Sequence, residues 1–206
     1  MNEGKNTSFK INSAIQKVLK KEWVPLVVIV IIAVLMADVI GRISKTTSKD
    51  NSSKTTTKAA TYEAIADTME FDISDDAIAF INDNPQFFPG NSSNTGAISD
   101  HIDFSMDYAH VAKNPFKYSD RLMYVFGEVV DCQELEESGK TLTYVQIEDY
   151  SGYDYCVYYL GELPNVFEGN DVTVTFLPFN VITFENIGGY YTKAIVGAAC
   201  YVNYAE

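Results

Sequence analysis

The sequence is poor in the residues that carry most enzyme chemistry. It holds two histidines, His101 and His110, and three cysteines, Cys132, Cys156 and Cys200. Neither histidine stands in an HExxH spacing and no cysteines form a CxxC, so the ligand spacings of a zinc centre are missing. There is no GxSxG, no P-loop and no GxGxxG opening a helix. No catalytic activity, no cofactor and no bound metal are therefore expected. Paired carboxylates such as Glu148-Asp149 and Asp75-Asp76 lack a nucleophile or positioned partner and read as solvated charge. The Asp149–Asp154 turn brings acids together, but no EF-hand spacing surrounds it.

Positive charge is also scarce, and unevenly so. Residues 1–58 carry ten Lys/Arg against four acids, a net of +6, whereas residues 59–206 carry five against 24, a net of −19. A protein that grips phosphates needs the opposite sign on its folded part, so nucleic acid is not expected as a partner.

The front third contains an apolar run, WVPLVVIVIIAVLMADVI, from Trp23 to Ile40. Residues 23–41 are long enough to cross the hydrocarbon of a bilayer, and Trp23 sits where an interfacial aromatic belongs. Pro25 falls in the first turn, where its missing N–H is harmless. With no small-x-small cleavage site after it, the run reads as an uncleaved signal anchor. Flanking bases are equal in number on the two sides; the lysines crowding the membrane edge (Lys17, Lys20, Lys21) favour an N-terminus inside. The expectation is a single-pass protein of the cell membrane with its C-terminal domain outside. Its parts are a basic cytoplasmic tail (1–22), the transmembrane helix (23–41), a Ser/Thr/Lys-rich linker (42–60), a helical lead-in (61–112) and a β domain (113–206). The linker has no apolar residue larger than alanine from Ser44 to Ala60, too little to offset its ordering entropy.

Within the lead-in, Thr61–Glu70 fits a short helix. Ser74-Asp75-Asp76 fits the cap of a second helix whose apolar face is Ala77, Ile78, Phe80 and Ile81. Residues 98–111 are ambiguous between strand and helix. From residue 113 the period becomes two. Strands are expected at 121–131 (with Gly127 marking a bulge or bend), 141–149, 153–160, 172–176 and 194–202. Polar 134–140 and Gly-containing 177–191 read as connections. Five strands, the first long and bent at glycine, suggest a five-stranded OB-fold-like barrel preceded by short helices.

A resemblance supports this. Lys113, Asn114, Pro115, Lys117 and Tyr118, then Gly127 and Val129, then Glu168, Gly169, Asp171, Val172 and Val174 resemble a pattern of extracytoplasmic OB-fold domains of Gram-positive bacteria. The layout of tail, span, spacer and C-terminal barrel is similar to that of membrane-anchored clostridial toxin-gene regulators. The resemblance implies an OB-fold over residues 113–203, placed outside the cell.

All fourteen tyrosines lie in the acidic part. OB-folds meet ligands on strands 2–3 and on the 1–2 and 4–5 loops. The expected contact residues are accordingly Tyr144, Tyr153, Tyr155, Tyr159, Phe184, Tyr190 and Tyr191, since aromatic rings with hydroxyls suit a protein or glycan surface. The expected partners are the lipid bilayer through residues 23–41 and a protein or glycan through this face. The alternative is an anti-sigma-like transmembrane regulator that couples the exterior domain to the basic tail. Two readings of the cysteines stay open: one disulfide plus a free thiol, or three separate small apolar residues.

Overall fold

The alternating pattern is realised as five strands: β1 (Met123–Glu137), β2 (Lys140–Asp149), β3 (Asp154–Tyr159), β4 (Asp171–Glu185) and β5 (Tyr191–Tyr204). The structure is a computed structural model that describes residues 57–137, 140–185 and 189–205. The strands close into a barrel in the order β1-β2-β3-β5-β4. Neighbours are antiparallel except β3 and β5, which run parallel. This is the OB-fold-like barrel expected from the sequence.

Closure depends on β1 serving two partners. Met123–Glu128 pair with β4, and Gly127–Glu137 pair with β2. Gly127 lies in the overlap, where a Cβ would meet the Glu148 carbonyl oxygen at 2.4 Å. The glycine thus marks a close backbone approach, while the bulge itself falls between Val129 and Asp131.

Two expected connections turn out to be strand. Within the polar run 134–140, residues 134–137 form the end of β1 and Lys140 opens β2, with Leu135 opposite Leu142. Its acids alternate with that apolar residue, and the Glu134 carboxylate accepts from the Leu163 N–H at 2.7 Å. Likewise β4 continues to Glu185 and β5 begins at Tyr191. Pro178 lies within β4. The ladder absorbs it with a register shift between Pro178 and Asn180, beyond Phe176 where β4 no longer pairs with β1.

Inside the barrel lie Val125, Val145, Ile147, Tyr155, Val157, Val174 and Ile195, all buried. The outer faces of β3 and β5 are apolar as well: Cys156, Tyr158, Ala194, Val196, Ala198 and Cys200 are buried. Strands buried on both faces require a second layer. The lead-in supplies it with α1 (Thr57–Met69) and α2 (Asp75–Asp83). Ala59, Tyr62 and Ile65 on α1, and Ala77, Phe80 and Ile81 on α2, join the same apolar cluster as Tyr158, Val196 and Cys200. Tyr62 is fully buried, packs edge-on against Phe88 and Phe179, and donates to the Tyr158 carbonyl at 3.3 Å. Helix α1 starts earlier than the expected linker boundary because Ala59 is small enough to fit this interface, where it has no exposed surface.

The second helix follows its sequence signature. Ser74 accepts from the Ala77 N–H at 3.2 Å, and Asp75 and Asp76 stand in the first turn. The ambiguous stretch resolves into α3 (Thr95–Asp100), a parallel bridge between Ile102 and Leu122, and α4 (Tyr108–Lys113) capped by Asp107.

Among the described residues the three cysteines are free thiols. Burial raises the Cys156 thiol to about 12 and, with neighbouring carboxylates, the half-buried Cys132 thiol to about 11. Both therefore stay protonated, as small apolar groups do. The tail, the span and linker residues up to 56 lie outside the described residues. Among those described, no helix is long and apolar enough to cross a membrane.

Candidate binding face

The seven expected contact residues do not form one surface. Tyr155 points into the barrel at 2% exposure, and its hydroxyl donates to Asp149 Oδ2 at 2.9 Å. Burial, then that hydrogen bond, push its phenol far up. Tyr144 lies on the outer face of β2 opposite Tyr158, with its hydroxyl 3.2 Å from Cys156 Sγ, and is partly buried against the helical layer. Phe184 packs against that layer too, and Tyr159 is half-buried against the barrel core. Tyr190 and Tyr191 stand exposed at the β4–β5 tip. Tyr153 is exposed at the β2–β3 turn, stacked on Tyr108 with ring centres 4.2 Å apart.

The physical reason is the second layer. Tyr62 and its neighbours cover Tyr158 and the adjoining β2–β3 surface, which is the usual ligand face of this barrel. Part of the expected site is therefore interior.

A different aromatic surface is open. Tyr124 and Phe126 alternate outward on β1, 45% and 43% exposed. Phe104 extends this ridge at one end, 6.3 Å from Tyr124, and Tyr150 at the other, 5.4 Å from Phe126. These end rings are more exposed still, at 74% and 69%. Beside the ridge runs a groove of about 360 Å³ that includes Met106, Tyr108, Met123, Tyr153 and Tyr155. The Tyr150 hydroxyl donates to Asp171 Oδ1 at 2.6 Å, which holds that phenol above its ordinary range.

The nearby carboxylates are committed to local structure. Asp149 Oδ1 accepts from the Ser151 and Tyr153 N–H groups, and Asp107 accepts from the His110 N–H and faces its Nδ1 at 2.7 Å. Among the described residues, no three metal-ligating side chains converge. The ridge escaped sequence reading because RLMYVFGEVV is apolar on both alternating faces. A usable signal was the division between aliphatic Met123, Val125 and Val129, which face inward, and aromatic Tyr124 and Phe126, which face out.

No family model matches the chain, and no curated protein matches it. Among solved structures it is similar to the mitochondrial single-stranded DNA binding protein Rim1 of S. cerevisiae. That match has 15% identity and a TM-score of 0.30, and covers 41% of this chain and 92% of that one. It is also similar to the second OB-fold domain of replication protein A from Methanococcus maripaludis, at 14% identity and a TM-score of 0.26. Here 42% of this chain and 83% of the other are covered.

One expectation is corrected: the acidic balance does not exclude nucleic acid as a partner. A net charge averages over the surface and says nothing of local sign. Within this acidic domain Lys117 and Arg121 lie over the Tyr118 ring, at 5.2 and 5.9 Å from its centre.

Proposed function

We propose that the chain is a membrane-anchored, non-catalytic binding module that presents its barrel outside the cell and contacts a protein or glycan through exposed aromatic rings. The observation that carries this reading is the ridge Phe104–Tyr124–Phe126–Tyr150. Four large rings, the contacting pairs Phe104–Tyr124 and Phe126–Tyr150, are left in solvent along the outer face of β1. Contiguous exposed apolar surface of this kind marks interaction sites. The apolar run 23–41 and the resemblance to extracytoplasmic OB-fold domains support the location.

The test is topological. In intact protoplasts bearing the full chain with a tag at each end, added protease is expected to remove the C-terminal tag and spare the N-terminal one. A C-terminal tag protected until the membrane is broken would contradict the reading.

A further inference from the structure

The partner's chemistry can be narrowed, on the footing of the reading just given. Asp154 stands opposite Glu148, Glu148 opposite Glu128, and Glu128 opposite Asp171, across β3, β2, β1 and β4. Directly opposed residues on antiparallel strands share a face with Cβ atoms roughly 4.5–5.5 Å apart, and like charges so placed repel. Among the described residues no salt bridge reaches this row; Arg121 is engaged with Asp103 and Asp120. The row runs beside the ridge. Phe126 is two residues from Glu128 on the same face of β1, and Tyr150 bonds to Asp171.

We infer that the outer face of β1 docks a lysine- or arginine-bearing segment of a partner protein. A cationic head seated between the Phe126 and Tyr150 rings and the carboxylates of Glu128 and Asp171 gains from the ring faces and relieves the opposed charges. The alkyl stem of such a side chain lies along Phe126 toward Tyr124. A neutral sugar stacks on rings but leaves the carboxylate row uncompensated, which is why a cationic polypeptide is the occupant.

The experiment measures fluorescence anisotropy of a labelled Arg/Lys-rich peptide titrated with the full chain in nonionic detergent. Binding is expected to weaken with added salt, about tenfold or more in Phe126→Ala, and as much in the pair Glu128→Gln/Asp171→Asn. That pair removes a repulsion, so its thermal midpoint is expected to be unchanged or higher, separating lost binding from lost fold. The pair Asp83→Asn/Asp100→Asn takes the same charge from exposed helical positions and is expected to bind as the parent does. Equal weakening in that control, no weakening in the ridge variants, or no peptide binding by the parent would overturn the inference. So would a neutral oligosaccharide or a single-stranded oligonucleotide whose binding the ridge variants abolish. A domain found inside the cell would sink the proposed location and leave this peptide result standing, so the two failures are distinguishable.

Discussion

Replacing Tyr62 by alanine is expected to cost about 3–5 kcal/mol, a large share of the stability of a small domain. The side chain has no exposed surface and wedges between Phe88 and Phe179 above β3. Its removal leaves a cavity between two layers that are each rigid, a helix on one side and a closed barrel on the other, so little collapse can fill it. Tyr62→Phe isolates the polar part. It keeps the ring and loses one long hydrogen bond to the Tyr158 carbonyl, worth about 0.5–1.5 kcal/mol. Urea unfolding of both variants checks the pair. A Tyr62→Ala cost below about 1 kcal/mol would mean that α1 merely rests on the barrel.

Gly127→Ala is expected to destabilise by at least the upper end of the ~1–3 kcal/mol typical of overpacking. The new methyl group would stand 2.4 Å from the Glu148 carbonyl oxygen and 2.9 Å from its carbon. Both are backbone atoms of β2, so relief requires moving the strand that closes the barrel rather than turning a side chain. The same geometry recurs at Gly197 against the Leu177 carbonyl oxygen, at 2.3 Å. Gly96 provides the contrast. It lies in α3 with nothing within 4 Å of a built Cβ, and Gly96→Ala is expected to stabilise by about 0.5–1 kcal/mol. Thermal melts of the two alanine variants should move in opposite directions. A Gly127→Ala protein as stable as the parent would contradict the bifurcated pairing of β1.

The barrel was legible because its signals are local. Alternation marked each strand and Ser74-Asp75-Asp76 marked a helix start, while Gly127, expected at a bulge or bend, stands at the overlap of the two pairings with the bulge just beyond it. Strand ends were less legible. Pro178 and the acids around Glu134 resemble breaks, yet a register shift and an exposed ribbon accommodate them. The site was least legible, for a tertiary reason. Tyr144 was a credible surface residue of β2, and its fate was decided by a segment about 80 positions earlier that packs over it and its neighbour Tyr158, whereas Tyr155 turned inward into the barrel. Alternation identifies two faces of a strand and is silent on whether a second layer covers the outer one. In β3 and β5 the clue was the lack of polar alternation in YCVYY and AIVGAAC, which requires cover on both sides. Tyr124 and Phe126 show the converse case, where large rings on an uncovered face look as core-like in the sequence as any buried residue.

Helix α1 is part of the barrel's core, so the face beneath it is closed and the outer face of β1 is the open one. Native-state hydrogen exchange on the full chain tests this most directly. Amides of α1 from Tyr62 to Met69 should exchange only with global unfolding, at the same free energy as amides of β3 and β5. Exchange of those α1 amides orders of magnitude faster, with β3 and β5 still protected, would show the helix opening on its own and the β2–β3 face available to ligands.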